Sequence, residues 1–436
     1  MTMWPLPRRK NPRDGGAEAA ATIGFTLLYL LFCLQQVVIG QGLGEGISLG
    51  STSIRLVAVA AAIIFFLKCG VPIGLRTLLL SISACLCVLA VSVALSDHRL
   101  IALKFGVRYA TQLLMLWCIF NLVTAFPNLR GALGRAVIAA LWISLAIGLG
   151  TRWGIEWVNQ LGLLFHEPEA LRYMPRIVGL YEHPATFGAI AVVVAVMATQ
   201  LREELSIGLP ALAAAYAGAA TALFFTEARS PIVPLLLLAG TFAATRRGRQ
   251  RQLALLVLML LSALVGVVIW LRYAELTSAS HESLATMFSL GRTYIWQGAV
   301  DAWLGRPWWG LGPGVFQFLT PDFTGGRFLR GELHAHNLVL AILSETGLMG
   351  LIAMTSLAAA LLVPVWAEAD NTARRRWVFI WSVVVLGMGL FDFYLPFYAF
   401  SLHISLAAAL LCVPVASAKK RAGARFDTDA YGGRPS

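Results

Sequence analysis

Charge is scarce in this chain: Asp, Glu, Lys and Arg together make up 13% of its 436 residues, roughly half the share usual in soluble globular domains. One buried core does not explain the deficit, because the apolar runs are spread along the whole length. They recur at lengths near the roughly 20 residues that cross a bilayer as a helix, which excludes a soluble protein and sets the fold class as an all-α polytopic membrane protein. Cysteine is scarce as well. The six cysteines, Cys33, Cys69, Cys85, Cys87, Cys118 and Cys412, lie in apolar runs or beside the cytoplasmic end of one, so no exterior disulfide is expected and no zinc spacing is present. The chain also lacks a repeat of fixed period and a glycine fingerprint preceded by a strand. No small-residue cleavage pattern ends the first apolar run, which is therefore read as a span rather than a removed signal.

What is present is a succession of apolar runs that predicts twelve spans, at about 21–40, 54–68, 75–95, 107–126, 132–150, 184–200, 209–226, 230–245, 252–270, 337–365, 376–391 and 396–415. The net charge is +12. Basic residues are retained in cytoplasmic loops, and the groups Arg8, Arg9, Lys10 and Arg13, then Arg246, Arg247, Arg249 and Arg251, then Arg374 to Arg376, then Lys419, Lys420, Arg421 and Arg425 all fall on one side of this arrangement. Both termini are then cytoplasmic. The basic balance is a topology signal facing membrane lipids, and nucleic acid is not an expected partner.

The organisation that follows is a basic tail over 1–20, nine spans over 21–270 with an exterior loop at 151–183, a large exterior loop over 271–336, three spans over 337–415, and a second tail over 416–436. Long loops inside compact architectures usually carry function. The 271–336 loop holds Trp296, Trp303, Trp308 and Trp309, which argues for packed structure, and apolar residues at helical spacing predict an amphipathic helix over about 291–304 lying on the bilayer. Its tryptophans either stack on sugar faces or anchor the loop at the interface, with anchoring slightly favoured.

All seven histidines, His98, His166, His183, His281, His334, His336 and His403, fall on the exterior side or in the outer half of a span. Histidine is the side chain suited to proton transfer near neutrality. The stretch His334-Ala-His336-Asn337, followed by Glu345-Thr-Gly347, sets a titratable cluster at the head of a span. Arg176 stands before the sixth span, Arg229 in the short Phe-Phe-Thr-Glu-Ala-Arg-Ser-Pro turn and Arg292 at the start of the exterior helix, and each can fork onto a phosphate. The plain alternative for each arginine is an interfacial cation paired to a carboxylate or to headgroups; for the histidines it is capping of the following helix. Arg229 is the hardest to dismiss, since little loop surrounds it. A His-x-His metal pair lacks third and fourth ligands at recognisable spacing, so no metal and no cofactor is expected.

Four stretches in this order carry a likeness to a known family: Arg176-Ile-Val-Gly-Leu-Tyr-Glu-His-Pro-Ala-Thr-Phe-Gly188, Thr226-Glu-Ala-Arg-Ser-Pro231, Gly291-Arg-Thr-Tyr-Ile-Trp296 with Gly310-Leu-Gly-Pro-Gly314, and His336-Asn-Leu-Val-Leu with Glu345-Thr-Gly347. Over about 176–365 the chain resembles the O-antigen ligase and polymerase superfamily of bacterial membrane glycosyltransferases. It departs from that pattern at Ala185 and Thr186, where His-Pro-Asn is commoner, and at Glu-Ala-Arg-Ser, where Ser-Arg-Gly is frequent.

The resemblance implies transfer of a glycan from polyprenyl diphosphate to an acceptor hydroxyl, without a metal, at the periplasmic face of the bacterial inner membrane. It implies diphosphate binding by Arg229, Arg292 and Arg176, a catalytic His336, and supporting roles for His334, Asn337, His183 and Glu345. The implied partners are the lipid-linked glycan, an acceptor glycan or lipid A–core, and in the pathway a flippase and a chain-length regulator. Polymerisation of O-antigen or exopolysaccharide repeats is placed ahead of ligation to lipid A–core and of protein O-glycosylation. A lipid-linked sugar transporter is the reading from another class; transporters commonly show internal repeats and helices broken at the midplane, and the sequence shows neither.

Overall fold

The computed structural model describes residues 76–125, 130–162, 176–181, 183–205, 208–228, 230–232, 234–236, 259, 292–326, 333–367, 372–392 and 398–412. The expected spans at 21–40 and 54–68, most of those at 230–245 and 252–270, both tails, and Arg229 lie outside the described residues. Within them the chain is helical, with no strand: α1 (Arg76–Leu95), α2 (Arg99–Ala125), α3 (Arg130–Arg152), α4 (Glu156–Gly162), α5 (Pro184–Leu205), α6 (Leu209–Thr226), α7 (Arg292–Gly305), α8 (Val315–Phe323), α9 (Leu338–Ala367), α10 (Thr372–Phe391) and α11 (Tyr398–Cys412). Six of these, α1, α2, α3, α5, α6 and α9, are long and apolar enough to cross a membrane. The helix expected over 291–304 is α7.

The bundle is organised around α5, which is buried without interruption from Pro184 to Ala198. A helix apolar on every face has no side to give to water. Its run of Ala, Val and Gly lets neighbouring backbones approach closely, and α3, α6, α10 and α11 pack around it. A second set of contacts joins α1 to α2 and α9, and α7 and α8 to α9. Helix α9 therefore links the central bundle to the α7–α8 subdomain.

The sequence predicts one span over 337–365, but α9 is broken. Gly347 sits at φ 68, ψ −164 inside it, and the backbone groups released by the break are taken up by the segment after α7. Leu348 and Met349 donate to the carbonyls of Pro307 (2.9 Å) and Trp308 (3.2 Å), while the amides of Leu311 and Gly312 donate to Ser344 (2.9 Å) and Glu345 (2.9 Å). Irregular backbone in a membrane protein persists only where protein satisfies it, and here the 307–312 turn does so. The fit requires glycine on both sides: a β-carbon at Gly310 would run into the Glu345 carbonyl, and one at Gly347 into the Trp308 carbonyl.

The end of α1 clamps the same turn. Ser92 donates to the Trp309 carbonyl at 2.8 Å and Ser96 to that of Leu311 at 2.6 Å. At the other end of the half-helix Leu338–Thr346, the Asn337 amide donates to the carbonyl of Leu390, 3.1 Å away near the end of α10. The half-helix thus reaches from the end of α1 to the end of α10. The run from Gly347 to Ala367 alone is long enough to cross a bilayer.

Candidate active site

The polar side chains converge on Asp392, the first residue after α10. Its Oδ1 lies 3.0 Å from His336 Nδ1, and its Oδ2 lies 3.9 Å from an Arg292 guanidinium nitrogen. Ser230, from the turn after α6, donates to Oδ2 at 3.5 Å. One carboxylate therefore gathers residues from the heads of α9 and α7 and from the segment after α6. It is largely shielded from solvent, with 11% of its side chain exposed against 26% for His336. With Nδ1 engaged by the carboxylate, the imidazole orientation is fixed. Its Nε2 takes no part in that contact.

Local structure explains why His336 can be held there. Its φ is 48, a left-handed conformation that non-glycine residues seldom adopt and that persists where surroundings enforce it. Asn337 supplies the enforcement. Its Oδ1 accepts the amides of Val339 (3.0 Å) and Leu340 (3.1 Å), while its amide nitrogen is tied to Leu390. Asn337 therefore caps α9, the part the sequence offered as an alternative for the histidines, and His336 is left to the carboxylate.

His183 lies at the head of α5, where its Nδ1 accepts the Ala185 amide at 3.1 Å. Burial lowers its pKa to about 4; Asp392 opposes the shift, and Arg176, His336 and Arg292 reinforce it. His334 is likewise lowered to about 4 by burial, reinforced by His336 and Arg108 against Asp392. Both are neutral at pH 7, and both belong to the electrostatic surroundings of the cluster. Arg176 donates through Nε to the Thr226 carbonyl at 2.7 Å, and the neighbouring Ile177 amide donates to Phe225 at 3.1 Å. These bonds hold the 176–181 segment to the end of α6.

Glu345 has a different environment. Its carboxylate accepts the Gly314 amide at 2.8 Å and the Tyr109 hydroxyl at 3.1 Å, so it fastens the glycine turn to α2 and α9. Among the described residues no group of three or more His, Cys, Asp or Glu is arranged to hold a metal ion.

Sequence reasoning missed Asp392, Ser230 and the Tyr109 partner of Glu345. A signal for Asp392 was present. It is a lone carboxylate between two apolar runs with little loop around it, like Arg229, where an unpaired charge is costly.

These features define a polytopic helical membrane protein with a carboxylate-anchored histidine beside an arginine. Residues 213–355 match the family model described as O-antigen ligase. The match supports the O-antigen ligase/polymerase family and, with it, a membrane glycosyltransferase of that type. It runs from α6 into α9, taking in Arg229, Arg292, His336 and Glu345, while Arg176, His183 and Asp392 fall outside it. A comparison with curated proteins gives no match.

Proposed function

We propose that this protein transfers a glycan from polyprenyl diphosphate to an acceptor sugar hydroxyl, with His336 as general base. The observation that carries the reading is the His336–Asp392–Arg292 arrangement. The acceptor oxygen bonds to the anomeric carbon as the bond from that carbon to the diphosphate oxygen breaks. The hydroxyl proton passes to His336 Nε2, and Asp392 keeps the imidazole oriented and offsets the charge it gains. Attack opposite the leaving group inverts the anomeric centre. The departing diphosphate develops negative charge, which Arg292, Arg176 and Arg229 neutralise in the place a divalent cation fills elsewhere.

Lengthening of O-antigen or exopolysaccharide repeats is the leading reaction, acting at the periplasmic face of the inner membrane. Ligation to lipid A–core is the second reading, favoured by the description of the matching family. Purified protein given lipid-linked glycan alone should yield a ladder of longer products. Product only after addition of lipid A–core would mean ligation. In either assay His336→Ala and Arg292→Ala should each reduce transfer by about 100-fold or more, with insertion intact and with excess chelator present throughout. Full activity in either variant would overturn the mechanism.

A further inference from the structure

We infer that the indole N–H of Trp296 is a donor to the sugar attached to the diphosphate, making Trp296 a recognition residue for the transferred glycan. The inference deepens the function proposed above and rests on it.

Trp296 follows Arg292 by four residues on α7, so the two side chains share one side of the helix about 6 Å apart along its axis. The adjoining stripe, Ile295, Gly298, Ala299 and Ala302, is buried where α7 packs on α8 and α9. Trp296 flanks that stripe. Its indole nitrogen is buried and has no hydrogen-bond partner among the described residues. Other tryptophans in the protein are satisfied: Trp303 donates to the Pro307 carbonyl at 3.1 Å, Trp142 to that of Ala214 at 3.2 Å, and Trp381 to Gln200 Oε1 at 2.7 Å.

Indole nitrogen only donates, and a buried donor without an acceptor is unfavourable unless something completes it. Interfacial anchoring does not fit, because an anchoring tryptophan keeps its N–H at the wet headgroup level. An oxygen brought in by a ligand does fit. The ligand expected at Arg292 carries its diphosphate there, and a displacement of about 6 Å along α7 is the scale of one sugar ring, whose hydroxyl and ring oxygens are acceptors. Trp296 is half-buried, and an indole ring is a surface on which a sugar can stack.

The test compares binding of polyprenyl diphosphate with that of polyprenyl diphosphate carrying a single N-acetylhexosamine. Wild type should prefer the sugar-bearing lipid. Trp296→Phe, which keeps a ring but removes the donor, should weaken that lipid about 3- to 10-fold and leave the sugar-free lipid unchanged, raising KM for transfer more than it lowers kcat. Arg292→Ala should weaken both lipids. If Arg292→Ala weakens both but Trp296→Phe binds the sugar-bearing lipid as wild type does, the Trp296 assignment falls alone. If Arg292→Ala binds both lipids like wild type, the functional reading falls with it.

Should the phenylalanine variant fail to fold, wild-type protein labelled with 15N at indole decides the matter. One indole resonance should move with the sugar-bearing lipid and stay in place with the sugar-free one. No movement with the sugar-bearing lipid overturns the assignment.

Discussion

Among individual residues, Asp392 has the widest consequences for the proposed chemistry. Its two oxygens do different work, one orienting His336 and the other facing Arg292 and Ser230. Replacing it by Asn removes the charge and leaves the volume. Asp392→Asn should therefore lower kcat by about 100-fold or more while changing donor KM much less, measured on purified protein; an unchanged kcat would assign the carboxylate a packing part only. His183 and His334 make a second prediction. Both are held neutral, with pKa about 4 against the ordinary 6.5. Between those values the unfolded chain binds more protons than the folded one, so stability is complete above about pH 6.5 and is lost as pH falls towards 4. Melting in detergent should drop across that window, and His183→Asn should flatten the drop. At this scale the sequence singled out His336, Arg292 and Asn337 as candidates, because polar residues in apolar surroundings are conspicuous. It did not distinguish their parts, since neither the capping by Asn337 nor the carboxylate partner, 56 residues away along the chain, has any spacing to betray it.

Among elements, apolar length made the helices legible. Runs read at 75–95, 132–150 and 209–226 are α1, α3 and α6 within two residues, because a 20-residue apolar segment has few alternatives in a membrane. The head of α2 was read eight residues late: Arg99, Lys104 and Arg108 dilute the apolar signal while the helix continues through them. The break at Gly347 left no periodic trace, as a glycine inside an apolar run reads the same whether the helix continues or stops. Its cause lies in the turn 307–312, which no local pattern connects to it. Two substitutions test this joint. Glu345→Ala strands the Gly314 amide and the Tyr109 hydroxyl, each at a cost of about 1–3 kcal/mol, whereas Glu345→Gln keeps an acceptor and should cost less. Gly347→Ala combines a disfavoured backbone conformation with the clash at Trp308 and should lower the melting temperature further. Equal melting for Glu345→Ala and wild type would show that the latch carries no stability.

For the molecule as a whole, the prediction concerns sidedness. The charge distribution reads residue 300 as periplasmic and both termini as cytoplasmic, since basic loops are retained inside. A phosphatase fused after residue 300 should be active and a cytosolic reporter there silent; the reverse pattern would remove the enzyme from the face where its acceptor is expected. The sequence marks 184–200 as one span among twelve, with nothing that sets it at the centre of the bundle. Nor does it show the convergence of α6, α7, α9 and α10 on one carboxylate, because assembling four separated segments is a tertiary fact.

The half-helix Leu338–Thr346 gives this architecture a mechanical property. It is tethered at one end to α1 and at the other, through Asn337, to α10, so tilting those two helices relative to each other turns the element that carries His336. Spans tilt to match the thickness of the lipid around them. The spacing of base and arginine is thereby coupled to acyl-chain length, and turnover in vesicles should pass through an optimum as the bilayer is thickened.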